Sequence, residues 1–226
     1  MNHIALRIIT LILFAAHLPT QASTPTSREW RFEVLLDDKP IGFHHFNLNT
    51  AGDTRELRGE AQFRVKLLGL TVYNYSHSNL ELWQHECLQH IDASTDKNGK
   101  DLFVRGSSDG EQLLLEYTSG YSSVSGCVMT FAYWNPEILA QQRLLNAQTG
   151  EYLDVSVQHL GEKKLRVQDG TVSAQHYRIS TEERDIELWY TTDRDWIALS
   201  TTINGGRQLY YRRVATAVDT GSGSNE

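Results

Sequence analysis

Gly59-Glu-Ala-Gln-Phe-Arg-Val-Lys-Leu67 is the stretch on which the reading of this chain turns. Ala61, Phe63, Val65 and Leu67 alternate with Glu60, Gln62, Arg64 and Lys66, the period-two pattern of a strand with one face on a core and one in water. Working outward, Trp30, Phe32, Val34 and Leu36 alternate with Arg31 and Glu33 in the same way. Asp37-Asp38-Lys39-Pro40 turns that strand into a return run from Ile41 to Asn49, and Gly52-Asp53 is a further turn. On the other side, a hairpin at Leu68-Gly69-Leu70 opens a long strand through Tyr73, Tyr75 and Leu80 to Trp83. Strands joined by turns this tight pair antiparallel.

The pattern continues. Leu88 to Ser94 and Leu102 to Arg105 flank Asn98-Gly99, a strong hairpin signal, and Glu111 to Tyr117 follows Asp109-Gly110. One helix is expected, from Pro136 to about Leu145, because Asn135 can cap the free N–H groups and Pro136 at the first helical position needs no partner for its missing one. Strands are then expected at 151–159, 164–168, 172–180, 185–191, 196–203 and 208–214, the last two joined by Asn204-Gly205.

Leu80–Arg105 and Ile186–Tyr211 align without a gap, with Glu81/Glu187, Leu82/Leu188, Trp83/Trp189, Ile91/Ile197, Ser94/Ser200, Thr95/Thr201, Asn98/Asn204 and Gly99/Gly205 identical. That reads as a duplicated unit closing each half of the molecule. The expected fold is all-β: a large antiparallel β-barrel or strongly curved half-barrel of about a dozen strands in two pseudo-repeated halves, with one short helix. A barrel of that size has more interior than its side chains fill, which makes the inside a candidate ligand cavity.

Residues 1–22 read as a secretory signal: Arg7, an apolar run from Ile8 to Leu18, then the small-residue site Thr20-Gln21-Ala22. The run is too short to span a bilayer, and no second long apolar segment exists in the mature chain. Residues 28–214 form the single antiparallel domain, and 219–226, rich in Gly and Ser, a disordered tail. The whole chain has 21 Lys+Arg and 28 Asp+Glu; removing Arg7 leaves 20 against 28, a formal charge of −8. Such a surface repels phosphate backbones, so nucleic acid is not an expected partner. Two cysteines remain, Cys87 and Cys127, and an oxidising compartment makes their disulfide the default.

Trp30-Arg-Phe-Glu-Val-Leu-Leu-Asp-Asp-Lys-Pro-Ile-Gly42, Asp92-Ala-Ser-Thr-Asp-Lys-Asn-Gly99, Gly126-Cys-Val-Met-Thr-Phe-Ala-Tyr-Trp-Asn-Pro136, Leu144-Leu-Asn-Ala-Gln-Thr-Gly-Glu-Tyr-Leu153 and Glu187-Leu-Trp-Tyr190 together resemble an uncharacterised family of exported proteobacterial proteins, a domain of unknown function. The resemblance covers the mature chain and implies a periplasmic protein. It brings no activity and no catalytic residues.

No metal site is expected. His44 and His45 are adjacent on a strand and point to opposite faces, and His85, Cys87 and Glu86 lack a matching second pair of ligands, while a disulfide would consume the thiolate. Gly106-Ser107-Ser108-Asp109-Gly110 has the spacing of a nucleophile elbow but lies between strands, where such an elbow needs a helix to follow. Glu81 and Glu187 lie opposite their flanking leucines by strand period and read as solvated carboxylates. No catalytic residue and no cofactor are expected.

The aromatics Tyr73, Tyr75, Trp83, Tyr133, Trp134 and Trp189 are the candidate cavity lining. The expected function is a non-enzymatic periplasmic barrel that binds or carries a hydrophobic, lipid-like ligand, with the helix bearing Pro136, Ile138 and Leu139 as its lid. Two other readings stay open: an envelope interaction or scaffold protein that presents the Leu67–Val72 hairpin, and a hydrolase of envelope glycan or lipid.

Overall fold

The computed structural model describes residues 24–67, 70–167, 170–203 and 205–214. The signal segment at 1–22, the tail at 219–226, Leu68, Gly69 and Asn204 lie outside the described residues. Fifteen strands follow in order: β1 Thr26–Leu36, β2 Lys39–Ala51, β3 Thr54–Leu67, β4 Leu70–Gln84, β5 Cys87–Lys97, β6 Lys100–Ser108, β7 Gln112–Tyr117, β8 Gly120–Ser125, β9 Arg143–Leu145, β10 Tyr152–Asp154, β11 Ser156–Val167, β12 Gly170–Ser180, β13 Asp185–Tyr190, β14 Trp196–Ile203 and β15 Arg207–Arg213.

Thirteen of these form one antiparallel sheet in the order β11-β12-β13-β14-β15-β1-β2-β3-β4-β5-β6-β7-β8, and β9 pairs with β10 in a small second sheet while its Leu145 also bridges Thr130 of the preceding segment. The sheet is seamed by β1 against β15, so the two arms of the chain meet at its ends in sequence. It does not close: β11 and β8 remain edges, and the half-barrel form of the expectation holds while the closed barrel does not. Tight turns have the backbone that two-residue hairpins need. Asp37 and Asp38 between β1 and β2, and Asn98 and Gly99 between β5 and β6, all have positive φ.

The inward face carries Trp30, Phe32 and Val34 of β1, Phe46 and Leu48 of β2, Leu57, Ala61 and Phe63 of β3, and Leu188 and Tyr190 of β13, all buried in one cluster. What fills the space between the arms is the crossover, residues 126–155, which leaves β8 and returns to β11. Its Val128, Met129, Ala132, Trp134, Ile138, Leu144 and Leu145 join the same buried cluster. Complete burial of Ile138, Leu144 and Leu145 contributes about 2 kcal/mol each. Cys127 is bonded to Cys87 with S–S 2.06 Å, which ties the start of the crossover to the start of β5.

Three expectations are corrected. The helix is a 3-10 turn over Pro136–Ala140, capped as predicted by Asn135, which accepts from the Glu137 N–H at 3.1 Å. Leu144 and Leu145 belong instead to β9, where two consecutive leucines serve both a strand and the core. The gapless repeat does not superpose: Glu81 faces Ile91 across β4–β5, but Glu187 faces Ser200 across β13–β14 and not Ile197. The β4–β5 turn has two residues where the β13–β14 connection has five, and the slip in register turns the matching side chains to opposite faces. Lastly, 151–159 is not one strand. It divides at Val155 between β10 and β11, while 156–167 is continuous through a bulge at His159/Gly161.

Candidate functional site

Alternation along β4 decides what the interior offers. Tyr73, Tyr75, His77, Asn79, Glu81 and Trp83 are the residues of one face, and Ser76, Ser78, Leu80 and Leu82 of the other. The first set points inward, so a buried strand face carries phenols, an imidazole, an amide and a carboxyl group. Glu81 does lie opposite Leu80 and Leu82, as strand period requires, but the leucines are the ones turned outward, and Glu81 is only 2% exposed.

The two ends of the half-barrel differ. The β2–β3, β4–β5 and β13–β14 connections share one end, which the crossover closes. There Glu81 accepts from Asn79 Nδ2 at 3.0 Å, Trp83 Nε1 at 3.1 Å and Thr130 Oγ1 at 3.3 Å. Burial pushes its carboxyl up to about 7 against the pull of those three donors. Trp83 meets Trp134 edge to face at 5.6 Å, and Arg55 lies 5.2 Å over Trp134 while pairing with Glu86 at 3.0 Å. Asn135 Nδ2 donates to Glu86 at 2.6 Å and Arg194 pairs with Glu137 at 3.0 Å. These contacts fasten the crossover to the turns beneath it.

The opposite end holds the β1–β2 turn and the β3–β4 hairpin, and it is aromatic. Phe63 and Tyr75 stack at 4.9 Å, Tyr73 continues the stack at 6.5 Å, and Ile41 and Leu209 are partly buried against the same core. His44 stacks on Phe46 at 4.0 Å, and its Nδ1 is 3.3 Å from the Tyr211 hydroxyl. His44 Nε2 is buried with no hydrogen-bond partner. Burial holds the His44 imidazole well below its ordinary value, with His77 and His45 adding to the effect. His77, bonded through Nδ1 to Thr95 Oγ1 at 2.8 Å, is brought down to about 4 by burial. Burial raises the phenols of Tyr75, Tyr133 and Tyr211. At neutral pH these imidazoles and phenols are uncharged, with hydrogen-bonding atoms set among rings.

Of the six aromatics predicted to line a cavity, Tyr73, Tyr75 and Trp83 share the inward column of β4. Trp134 packs between Trp83 and Trp30, and Tyr133 lies 5.5 Å from Trp196 with its carbonyl accepting from the Tyr190 hydroxyl. Trp189 is on the other face of the sheet, stacked on His176 at 4.5 Å in a small cluster with Ala174, Ile197 and Ala198. Pro136, Ile138 and Leu139 stand at the closed end, and Ile138 is fully buried, so the turn that bears them does not cover Tyr73 and Tyr75. His44 and His45 do part to opposite faces, and Ser108 sits where β6 turns into β7. Sequence reading does not single out His44, His77, Glu81 and Thr130 as lining; the column Tyr73-x-Tyr75-x-His77-x-Asn79-x-Glu81-x-Trp83 is the signal that identifies two of them, His77 and Glu81.

Two hollows lie outside this interior. One, about 630 Å³, crosses the outer face of β1 to β5, where Glu29, Arg31, Arg58 and Glu60 alternate in sign and Arg31 pairs with Glu29 at 3.2 Å. The other, about 440 Å³, lies between β8 and β10.

No curated protein matches the chain. Its fold is similar to the crystal structure of a beta-barrel-like protein of domain of unknown function DUF1849 from Brucella abortus, with a TM-score of 0.62 and 7% identity over 82% of this chain and 94% of that one. At that identity the likeness shows the fold alone: a barrel-like sheet of comparable extent. Over residues 32–214 the sequence itself matches a defined family, and the chain belongs to the domain of unknown function family DUF6134.

Proposed function

We propose that the protein is exported to the periplasm and there, without catalysing a reaction, binds a lipid-like ligand at the aromatic end of the half-barrel. The observation that carries this reading is His44 Nε2, a buried polar atom with no partner, on a ring that stacks on Phe46 and meets Tyr211 edge to face. A buried polar group left unpaired costs about 1–3 kcal/mol, and a ligand atom at that place recovers it. Uncharged imidazoles and phenols around it suit a chain of methylenes with one polar end. Because the crossover occupies the space between the arms, the ligand's place is the mouth and not an enclosed barrel. Export is supported by the apolar segment after Arg7 and by the Cys87–Cys127 bond. Titration with a fluorescent long-chain fatty acid tests the site: saturable binding that His44→Phe weakens at least fivefold is expected, and binding unchanged in that variant contradicts it.

The scaffold reading keeps one specific support. Leu70 and Val72, at the tip of the β3–β4 hairpin, are 72% and 54% exposed. If they meet a partner protein, Val72→Ser lowers partner crosslinking and leaves fatty-acid binding as it was; loss of fatty-acid binding assigns Val72 to the mouth instead.

A further inference from the structure

An open sheet has two edges, and this one treats them differently. β11 runs Ser-Val-Gln-His-Leu-Gly-Glu-Lys-Lys-Leu-Arg-Val, with Glu162, Lys163, Lys164 and Arg166 along it and a bulge at Gly161, whose φ is +93°. Charge and a bulge are the ordinary means of keeping other strands off an edge. β8 is Gly-Tyr-Ser-Ser-Val-Ser, with no charged residue, no proline and no register shift against β7. Its edge is flat and bare.

The ladder fixes which groups that edge presents. Tyr117 and Gly120 close a two-residue turn, and the Gly126 N–H donates to the Glu111 carbonyl at 3.1 Å, so the hydrogen-bonded pairs with β7 fall at Gly120, Ser122, Val124 and Gly126. The N–H and C=O groups of Tyr121, Ser123 and Ser125 therefore point away from the sheet. None has a protein partner among the described residues. Ser123 and Ser125 line the 440 Å³ groove, whose far wall is Arg143, Glu151 and Tyr152. β10, on that wall, pairs with β9 and with no other described strand. Gly150 is held against the ring of Tyr117 at the end of the groove, where a Cβ would come within 2.4 Å of the ring, and this fixes the wall relative to the edge.

We propose that β8 receives an extended segment of another polypeptide as an added strand, seated in the groove between β8 and β10. Two features choose this occupant. A second copy offering its own β8 would bring its β7 on the other side, where β9 and β10 already stand, so the groove admits a lone strand and not the rim of a sheet. The groove holds little charge: Arg143 is engaged by Asp154 at 3.1 Å, the Tyr152 carbonyl at 2.9 Å and the Tyr152 ring, which leaves the Glu151 carboxylate, bonded to Thr149 Oγ1 at 2.7 Å, as a net negative charge on that wall. The guest is therefore a segment of about six residues without acidic side chains, matching β8 at about 3.4 Å per residue, with small or apolar side chains toward Val124 and Tyr152.

Ser123→Pro tests this directly, since it removes one outward N–H and leaves the β7–β8 ladder bonds intact. The probe is a random linear peptide library displayed on phage, selected on the full-length protein. Enriched peptides with alternating small and apolar residues that bind Ser123→Pro at least tenfold more weakly support the proposal. Hydrogen exchange of the unaltered protein gives a second reading that needs no variant: the amides of Tyr121, Ser123 and Ser125 slow when the selected peptide is added. Peptides that bind Ser123→Pro equally well, no enrichment, unchanged exchange at those amides, or a dimer that Ser123→Pro abolishes would each overturn it.

Discussion

Thr130 Oγ1 donates to Glu81 Oε2 inside the half-barrel, 3.3 Å away, so a carboxyl group of the sheet holds the crossover that fills it. Glu81 has its folded value raised to about 7 from 4.5. Between those values the folded state binds the proton and the unfolded state does not, so this group's contribution is fully present below pH 4.5 and lost as pH rises through 7, about 3 kcal/mol in all. His77, lowered to about 4 from 6.5, acts in the opposite sense and masks much of that slope in the unaltered protein. The comparison is therefore with Glu81→Gln: relative to the unaltered protein, urea unfolding should show the variant gaining about 3 kcal/mol between pH 4.5 and 7.5. A difference that does not change with pH refutes the assignment.

Gly59 and Gly42 should respond unequally to alanine. A Cβ on Gly59 would come within 2.1 Å of Asn79 Oδ1, the movable end of a side chain that donates to Glu81. Loss of that bond sets the cost at about 1–2 kcal/mol, and Asn79→Ala in the same chain should remove most of it. On Gly42 the Cβ would lie 1.8 Å from the Gln62 carbonyl of the paired strand, which cannot step aside. Gly42→Ala should cost about 3 kcal/mol or more, with no rescue by Asn79→Ala. Thermal unfolding of the four variants checks both.

The Cys87–Cys127 bond closes a loop of 40 residues, for which chain entropy gives about 4 kcal/mol. Cys87→Ser should lower stability by up to that amount, and non-reducing digestion of the unaltered protein should yield one peptide joining the two cysteines. Two alkylatable thiols in protein taken from the periplasm would contradict the pairing there.

Strand alternation made most of the sheet legible from sequence, because Gly59–Leu67 and Trp30–Leu36 each divide cleanly between core and water. β8 was not read, since Gly-Tyr-Ser-Ser-Val-Ser has an apolar residue only at Tyr121 and Val124 and so shows no period. The inward wall of β4 was read only at its aromatic ends. Glu81 reads as solvated because strand period sets it opposite its flanking leucines, and only the crossover, arriving from 49 residues on to place Thr130 beside Glu81, makes the face it shares with His77 dry. The repeat failed for a related reason: identical Glu-Leu-Trp segments enter turns of different length, and side-chain direction follows register and not identity. Trp189 and Trp83 are thus alike in sequence and opposite in the fold.

Native mass spectrometry of protein purified from the periplasm, followed by organic extraction, tests the central claim most directly. A defined adduct with the mass of an acyl-chain lipid, diminished in His44→Phe, is the predicted result. A clean unliganded mass, with no lipid recovered on extraction, would contradict binding at the mouth.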